Sequence, residues 1–211
     1  MILDIVTFMA LLDVAWNDNI IKLEKISYDK TIDVQLGVYK TGFYKGWLTI
    51  NLKPSHGEAD WKINLKGWWR NTPYGRAHAG YWKEIEKYGD DLLGKINKYY
   101  QQEKCLGILI AGRSKGAAEA ELLVPMLPSV PIYCGAFEPP RCCDREYQRS
   151  IKSGTVAGVT TCYKNDIVPG VPPWFIHPFE VYQNWKRGAG LSWKDHRTAT
   201  EEKEVWIGEM R

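Results

Sequence analysis

The chain has 211 residues, of which 45% are hydrophobic and 25% charged, and its 28 basic and 25 acidic residues leave a net charge of +3. This composition excludes an intrinsically disordered chain, and the length predicts a single domain over residues 1–211. The charges are interspersed, so no nucleic-acid partner is expected, and no apolar run approaches the roughly 20 residues of a transmembrane helix.

The chain begins with an apolar stretch from Met1 to Asp13. It resembles a secretory signal only superficially, because no basic residues precede it and Asp4 and Asp13 fall within it. We interpret it as an amphipathic helix packed on the domain. The lack of a signal sequence predicts a cytoplasmic protein, although release by lysis or by a leaderless route stays open.

The five cysteines are odd in number and two are adjacent, at Cys142 and Cys143, which is not typical of a disulfide framework. We therefore expect reduced thiols. The cysteine spacing does not fit a zinc site either, so neither a metal nor a cofactor is predicted.

The segment after the first helix, from Ile21 to Leu36, mixes charged and apolar residues without a clean period and is left unassigned. Residues from Phe43 to Leu52 are predicted to form a strand. A turn rich in Pro, Ser and Gly follows, and a second strand from Trp61 to Leu65 would complete a β-hairpin.

A long amphipathic helix is predicted from Tyr81 to Glu103, where apolar residues recur every three or four positions. It leads into a short, uncharged apolar run from Leu106 to Ala111, which is typical of a central buried strand. Further short apolar strands are expected from Val130 to Gly135 and from Gly154 to Tyr163. This order indicates an α/β fold with a largely parallel central sheet.

The sequence Gly112-Arg113-Ser114-Lys115-Gly116 follows the central strand and precedes the helix-forming run Ala117–Leu123. It fits the pattern G-x-S-x-G, in which glycines allow a sharp turn from strand to helix and expose the serine. Ser114 is therefore a candidate nucleophile, and the helix amides would point at the group it attacks. A solvent-facing serine at an ordinary strand end is the alternative.

A nucleophile of this kind needs an acid and a histidine further along the chain. Asp166 follows the strand that ends at Tyr163, and side chains converge at the carboxyl ends of parallel strands. Beyond it lie His177 and His196. His196 is favoured as the general base because polar residues surround it, whereas His177 lies between Ile176 and Pro178 and suits a packing or hydrogen-bonding role.

The negative charge that develops on an attacked carbonyl needs two backbone amides. The amide of Lys115 follows from the turn itself, and the second is assigned to Trp68, which follows Gly67 at the expected end of an earlier strand. Four aromatic residues are predicted to line an apolar acyl site: Trp69, Tyr74, Trp174 and Phe175.

Taken together, these blocks resemble the class 3 lipases, the family of the fungal triacylglycerol lipases. The resemblance rests on Ile63–Trp68, His78–Tyr81, Gly112–Gly116, Ala136–Arg141 and Asn165–Pro173, and it covers roughly residues 42–198. It implies an α/β-hydrolase fold, an ester substrate and the triad Ser114, Asp166 and His196, with His177 and Glu180 as a His-x-x-Glu pair outside the triad. The family usually has His before the serine, Leu after it and Gly at position 138; here these are Arg113, Lys115 and Glu138. The segment from Trp68 to Ala77 is short where the fungal enzymes carry a helical lid.

The predicted function is hydrolysis of carboxylic esters, with a small-molecule or lipid ester as partner and transient contact with a lipid surface. Three alternatives stay open. The same triad would also serve a thioesterase or an amidase. The second alternative is a non-catalytic binding module, which the charges of Arg113 and Lys115 beside the serine would favour. The third is a protein that binds lipid surfaces through those charges and the tryptophans.

Overall fold

The computed structural model describes residues 5–16, 19–28, 32–54, 68–163 and 165–184 of the chain. The helices in these ranges are α1 (Ile5–Trp16), α2 (Ala79–Gln102), α3 (Lys115–Leu123) and α4 (Arg145–Gly154). The strands are β1 (Ile20–Tyr28), β2 (Ile32–Tyr39), β3 (Leu48–Pro54), β4 (Trp69–Thr72), β5 (Gly75–His78), β6 (Ile108–Arg113), β7 (Ile132–Phe137), β8 (Ala157–Tyr163) and β9 (Val181–Asn184).

Seven of these strands form one sheet, in the order β1-β2-β3-β6-β7-β8-β9. β1 and β2 are antiparallel to their neighbours, and all pairs from β3 to β9 are parallel. β4 and β5 form a separate antiparallel hairpin. The predicted α/β class is confirmed, and the carboxyl ends of β3, β6, β7 and β8 lie along one edge of the sheet.

The sheet buries both of its faces. Ile108 and Ile110 of β6 pack in a core with side chains of α2, α3 and α4, whereas Leu109 and Ala111 pack on the other face with α1. A strand covered on both sides has no polar face, which is why the β6 sequence shows no alternation. None of the helices in the described ranges is long and apolar enough to cross a membrane.

Most predicted elements are present, with ends displaced by a few residues. α1, α2, β6, α3, β7 and β8 are all found where a helix or strand was expected. The predicted strand from Phe43 is wrong at its start, because the chain turns between Gly42 and Trp47 before β3 begins. Strands β1, β2, β4, β5 and β9 and helix α4 were not predicted.

The expected hairpin after β3 does not agree with the sheet. β3 pairs with β2 on one edge and with β6 on the other, so neither edge is open to a returning strand. The proposed partner from Trp61 to Leu65 lies outside the described residues. The consequence for function is that β3 itself is the neighbour of the strand that carries Ser114.

Candidate active site

Ser114 lies at the turn between β6 and α3, with φ 53° and ψ −127°. This conformation is rare for a residue with a side chain, so it persists only where the surroundings fix it. The Ser114 N–H donates to the Phe137 carbonyl oxygen at 2.8 Å, and the Ala117 N–H donates to the Ser114 carbonyl oxygen at 3.0 Å. The sheet therefore holds one side of Ser114 and the helix holds the other, as a nucleophile elbow requires.

The two glycines around Ser114 are required by close backbone contacts. A Cβ at Gly112 would lie 2.5 Å from the Gly116 carbonyl oxygen, and a Cβ at Gly116 would lie 2.8 Å from the Leu52 carbonyl carbon. Both distances are below those that real Cβ atoms show. The first glycine closes the turn, and the second allows α3 to pack directly on β3.

Asp166 follows β8 at the same edge of the sheet and is buried. Its N–H donates to the Tyr163 carbonyl oxygen at 3.0 Å, and its Oδ1 accepts from the Val168 N–H at 2.9 Å. This local turn gives the carboxylate one defined orientation. Position 166 is thus a fixed, buried carboxylate, as the acid of a triad would be.

Ser114 and Asp166 follow strands that are separated by one other strand, β7. With strands about 4.8 Å apart, their backbones lie roughly 10 Å apart along the sheet edge. One imidazole between the two side chains would span this gap.

The histidines divide into two that the structure describes and two, His56 and His196, that lie outside the described residues. His78 caps α2, where its Nδ1 accepts from the Gly80 N–H. His177 Nε2 lies 2.7 Å from the Pro169 carbonyl oxygen, and its buried Nδ1 contacts no hydrogen-bonding group among the described residues. Neither nitrogen of His177 therefore contacts Ser114 or Asp166, in agreement with the hydrogen-bonding role expected for it.

Burial is the main reason why the pKa of His177 is lowered to about 4, and the bond to Pro169 opposes this shift. His177 is consequently neutral at physiological pH. The assignment of the general base to His196 stays a prediction.

The two residues assigned to the oxyanion site differ in their surroundings. Lys115 is the first residue of α3, so its amide belongs to the helix N-terminus beside Ser114. Trp68 precedes β4, its side chain is 83% exposed, and its carbonyl oxygen accepts from the Ala79 N–H at 2.8 Å. Because β3 borders β6, the sheet favours a second amide from the residues that follow Leu52, and the role of Trp68 stays a prediction.

Three of the four predicted acyl-site residues cluster, and the fourth lies elsewhere. Trp69 and Phe175 are in contact, with ring centroids 4.0 Å apart, and Phe175 is fully buried. Trp174, next to Phe175, is 57% exposed. Tyr74 lies at the turn of the β4–β5 hairpin and packs against the ring of Tyr147 at 5.8 Å. Whether any of them contacts an acyl chain stays a prediction.

Charged residues around the elbow form two ion pairs that the sequence did not reveal. Arg113 Nε lies 2.9 Å from Oε2 of the buried Glu138. On the other side of Ser114, the Lys115 ammonium pairs with Glu84 of α2 and lies 3.6 Å from Glu119 of α3. The charges at positions 113 and 115 are thus balanced by partners distant in sequence.

Helix α3 carries two fully buried glutamates, Glu119 and Glu121. Burial raises the pKa of each to about 8, and in Glu119 the nearby Lys115 opposes this effect. Tyr88 donates to Glu119 at 2.8 Å, and Thr160 donates to Glu121 at 3.2 Å. The available signal in the sequence was two glutamates that alternate with alanine in the middle of an otherwise apolar helix.

All five cysteines are buried free thiols. Within the described ranges, no group of three or more His, Cys, Asp or Glu side chains is arranged to hold a metal ion.

Solved lipase structures share this fold. The Rhizomucor miehei lipase in its propeptide complex superposes with a TM-score of 0.67 at 19% identity; the match covers 79% of this chain and 57% of that chain. A triacylglycerol lipase described as having a serine protease triad as its catalytic centre gives a TM-score of 0.70 at 17% identity, covering 84% and 78%. Lipase II from Rhizopus niveus superposes with a TM-score of 0.67 at 15% identity, and the match covers 82% of this chain and 69% of that chain. The predicted α/β-hydrolase fold is confirmed, and the chain spans little more than half the length of the Rhizomucor lipase.

A search of curated proteins found no match. The sequence model described as Lipase (class 3) matches residues 49–176, which is more than half of the chain. This range begins in β3, contains Ser114 and Asp166, and ends before His196. The chain therefore belongs to the class 3 lipase family.

Proposed function

We propose that this protein hydrolyses carboxylic esters through Ser114, Asp166 and His196 by way of an acyl-enzyme. The observation that carries the proposal is the backbone of Ser114, held at φ 53° between β6 and the N-terminus of α3. A strained serine in this position has no evident structural purpose, and strain of this kind concentrates at functional sites. Membership of the class 3 lipases supports the same reaction.

In the first half of the reaction, His196 accepts the proton of the Ser114 hydroxyl as the oxygen attacks the acyl carbon. The carbonyl oxygen becomes negative and is held by the Lys115 amide together with a second backbone amide. Collapse of this intermediate breaks the ester bond, and the departing alcohol takes the proton from His196. Asp166 orients the imidazole and stabilises its charged form.

In the second half, water gives a proton to His196 and attacks the acyl group on Ser114. The carboxylic acid leaves, and the proton returns from His196 to the serine. His177 is not proposed as the base, because its Nε2 is engaged by the Pro169 carbonyl oxygen.

A lipid ester at a lipid surface is the proposed substrate setting. Trp68 and Trp174 are both largely exposed and are the sequence neighbours of Trp69 and Phe175, whose rings are in contact. Exposed tryptophans suit the boundary between water and lipid. Arg113 is not expected to contribute to such contact, because Glu138 binds it.

The ion pairs also bear on the alternative of a non-catalytic module. Arg113 and Lys115 suggested that alternative as uncompensated charges beside the serine, whereas both pair with carboxylates. Their charges are therefore compatible with a working nucleophile. The alternative of a thioester substrate is tested by comparing rates on matched oxygen esters and thioesters.

The test is hydrolysis of p-nitrophenyl esters, from acetate to palmitate, by the wild-type protein and by Ser114→Ala. Losing the nucleophile should lower kcat by about 10⁴- to 10⁶-fold. Ser153→Ala, at an exposed site on α4, is the matched control and should retain wild-type rates. His196→Asn should be as inactive as Ser114→Ala, and wild-type protein that hydrolyses none of these esters would refute the proposal.

A further inference from the structure

A buried ion pair lies immediately beside the proposed nucleophile. The Arg113 and Glu138 side chains are 20% and 1% exposed, and they meet at 2.9 Å. We infer that Glu138 is a positioning residue of the proposed hydrolase: it fixes Arg113, and so the turn at Ser114, and it neutralises the guanidinium charge next to the serine from which the proposed base accepts a proton. The inference rests on the proposed function, and it concerns two residues that differ from the usual family pattern.

The backbone at Glu138 indicates that a side chain is specifically needed there. Its φ is 54°, a conformation that glycine adopts without strain and that other residues rarely adopt. Position 138 is therefore one where glycine would be the unstrained choice. Glu138 nevertheless occupies this position, and its carboxylate at the end of β7 contacts Arg113.

Backbone hydrogen bonds connect residues 137 and 138 to both of the chain segments that carry the proposed catalytic residues. The Glu138 N–H donates to the Thr161 carbonyl oxygen of β8 at 2.7 Å. The preceding residue, Phe137, accepts from the Ser114 N–H at 2.8 Å. The backbone that carries Glu138 is thus bonded to the elbow on one side and to the strand before Asp166 on the other, and the Glu138 side chain adds the ion pair to Arg113, the residue before Ser114.

The ion pair also belongs to a wider group of charges at this edge of the sheet. Burial raises the pKa of the Cys162 thiol; the negative charges of Asp166 and then Glu138 raise it further, and Arg141 opposes them. The charges of both carboxylates therefore act on the Cys162 thiol. Unbalancing the pair by one charge would change the potential at the imidazole that Asp166 is proposed to orient.

The variant that tests this role is Glu138→Gln, which keeps the shape of the side chain and removes its negative charge. Loss of a negative charge disfavours the imidazolium, so the pKa of the base should fall. The acid limb of kcat/KM should therefore move to lower pH, by about 0.5 unit or more. We also expect kcat to fall more than KM changes.

Two further variants separate this role from a general loss of stability. Arg113→Gln/Glu138→Gln removes both charges and should return the acid limb to its wild-type position. Asp144→Asn breaks the pair between Arg76 and Asp144, which meet at 3.0 Å at the junction of β5 and α4, and should leave the acid limb unmoved. The rate constant for inactivation by a fluorophosphonate, measured against pH, reports folded molecules only and gives the same limb.

The inference would be overturned if Glu138→Gln is active and the acid limb of its kcat/KM profile lies at the wild-type pH. It would also be overturned if Asp144→Asn shifts that limb by the same amount as Glu138→Gln. If Glu138→Gln alone does not fold, the test is made with Arg113→Gln/Glu138→Gln. Recovery of folding and activity when both charges are removed supports the role of Glu138, and failure to recover overturns it. Failure of the proposed function is recognised separately, by wild-type protein that neither turns over esters nor reacts with the fluorophosphonate.

Discussion

Replacing Gly116 by alanine should damage both stability and catalysis. The added methyl group would lie 2.8 Å from the Leu52 carbonyl carbon and closer still to its oxygen, and 3.2 Å from the Lys53 nitrogen. All three atoms belong to the backbone of β3, which is paired on both edges and cannot move aside. The N-terminus of α3 must therefore shift, and Ser114 with it.

Overpacking of this kind destabilises proteins by about 1 to 3 kcal/mol. For a chain of this length, 2 kcal/mol corresponds to a fall in Tm of roughly 4 to 8 °C. A displacement of about 1 Å at a catalytic group lowers turnover by about 10²-fold. We therefore expect kcat on p-nitrophenyl esters to fall at least that far under conditions in which the variant is still folded.

Gly94→Ala supplies the control. Gly94 lies inside α2, and a Cβ there would meet no atom within 4 Å. Alanine should stabilise that helix by about 0.5 to 1 kcal/mol and leave kcat unchanged. Denaturant unfolding and esterase kinetics on both variants test this directly. If Gly116→Ala matches wild type in both measurements, the close packing of α3 on β3 does not set the position of Ser114.

Three further predictions follow from buried residues. Burial raises the pKa of Glu121 from 4.5 to about 8, so between these pH values the folded state retains a proton that the unfolded state loses. The free energy of unfolding should therefore fall as pH rises from 4.5 to about 8, and it should fall less in Glu121→Gln. The pKa of His177 is instead lowered from 6.5 to about 4, so its contribution to stability is lost as pH falls through this range. His177→Gln should remove that part of the acid sensitivity and retain far more esterase activity than His196→Asn. Phe175→Ala should destabilise the fold by about 3 to 5 kcal/mol in urea unfolding, whereas the exposed Trp174→Ala should change stability by less than about 0.5 kcal/mol.

The sequence predicts best where one local pattern determines the structure. The turn at Ser114 requires glycines at fixed positions, and β6 is apolar throughout because both of its faces are buried. Each of these two elements can therefore be recognised from a few consecutive residues. The helix α2 is equally clear because one face is apolar over 24 residues. Asp166 could be selected because acids of this fold follow a strand beyond the serine.

The strands β1 and β2 escaped prediction for a physical reason. β1 lies at the sheet edge, and its pairing with β2 shifts between Lys22 and Glu24, which breaks the two-residue alternation expected of a strand. Leaving this segment unassigned removed two strands from the predicted sheet. The strand that borders β6 is β3, whereas the predicted second oxyanion donor, Trp68, follows a proposed strand that lies outside the described residues, so this assignment stays a prediction.

Pairings between residues distant in sequence were also beyond prediction. Arg113 and Glu138 belong to different strand ends, and Lys115 meets Glu84 across two helices. Each charge alone looked unusual for the family. Only the arrangement of strands and helices in the folded chain shows that these charges are balanced, which is why the sequence alone could suggest a non-catalytic module.

Covalent labelling tests the central claim most directly, because it asks whether Ser114 is the activated nucleophile without requiring the natural substrate. The protein is treated with a fluorophosphonate and its intact mass and peptides are analysed by mass spectrometry. The expected result is a single adduct, located on Ser114, that is absent from Ser114→Ala and forms much more slowly in His196→Asn. An unmodified protein, or an adduct on another serine that persists in Ser114→Ala, would contradict it.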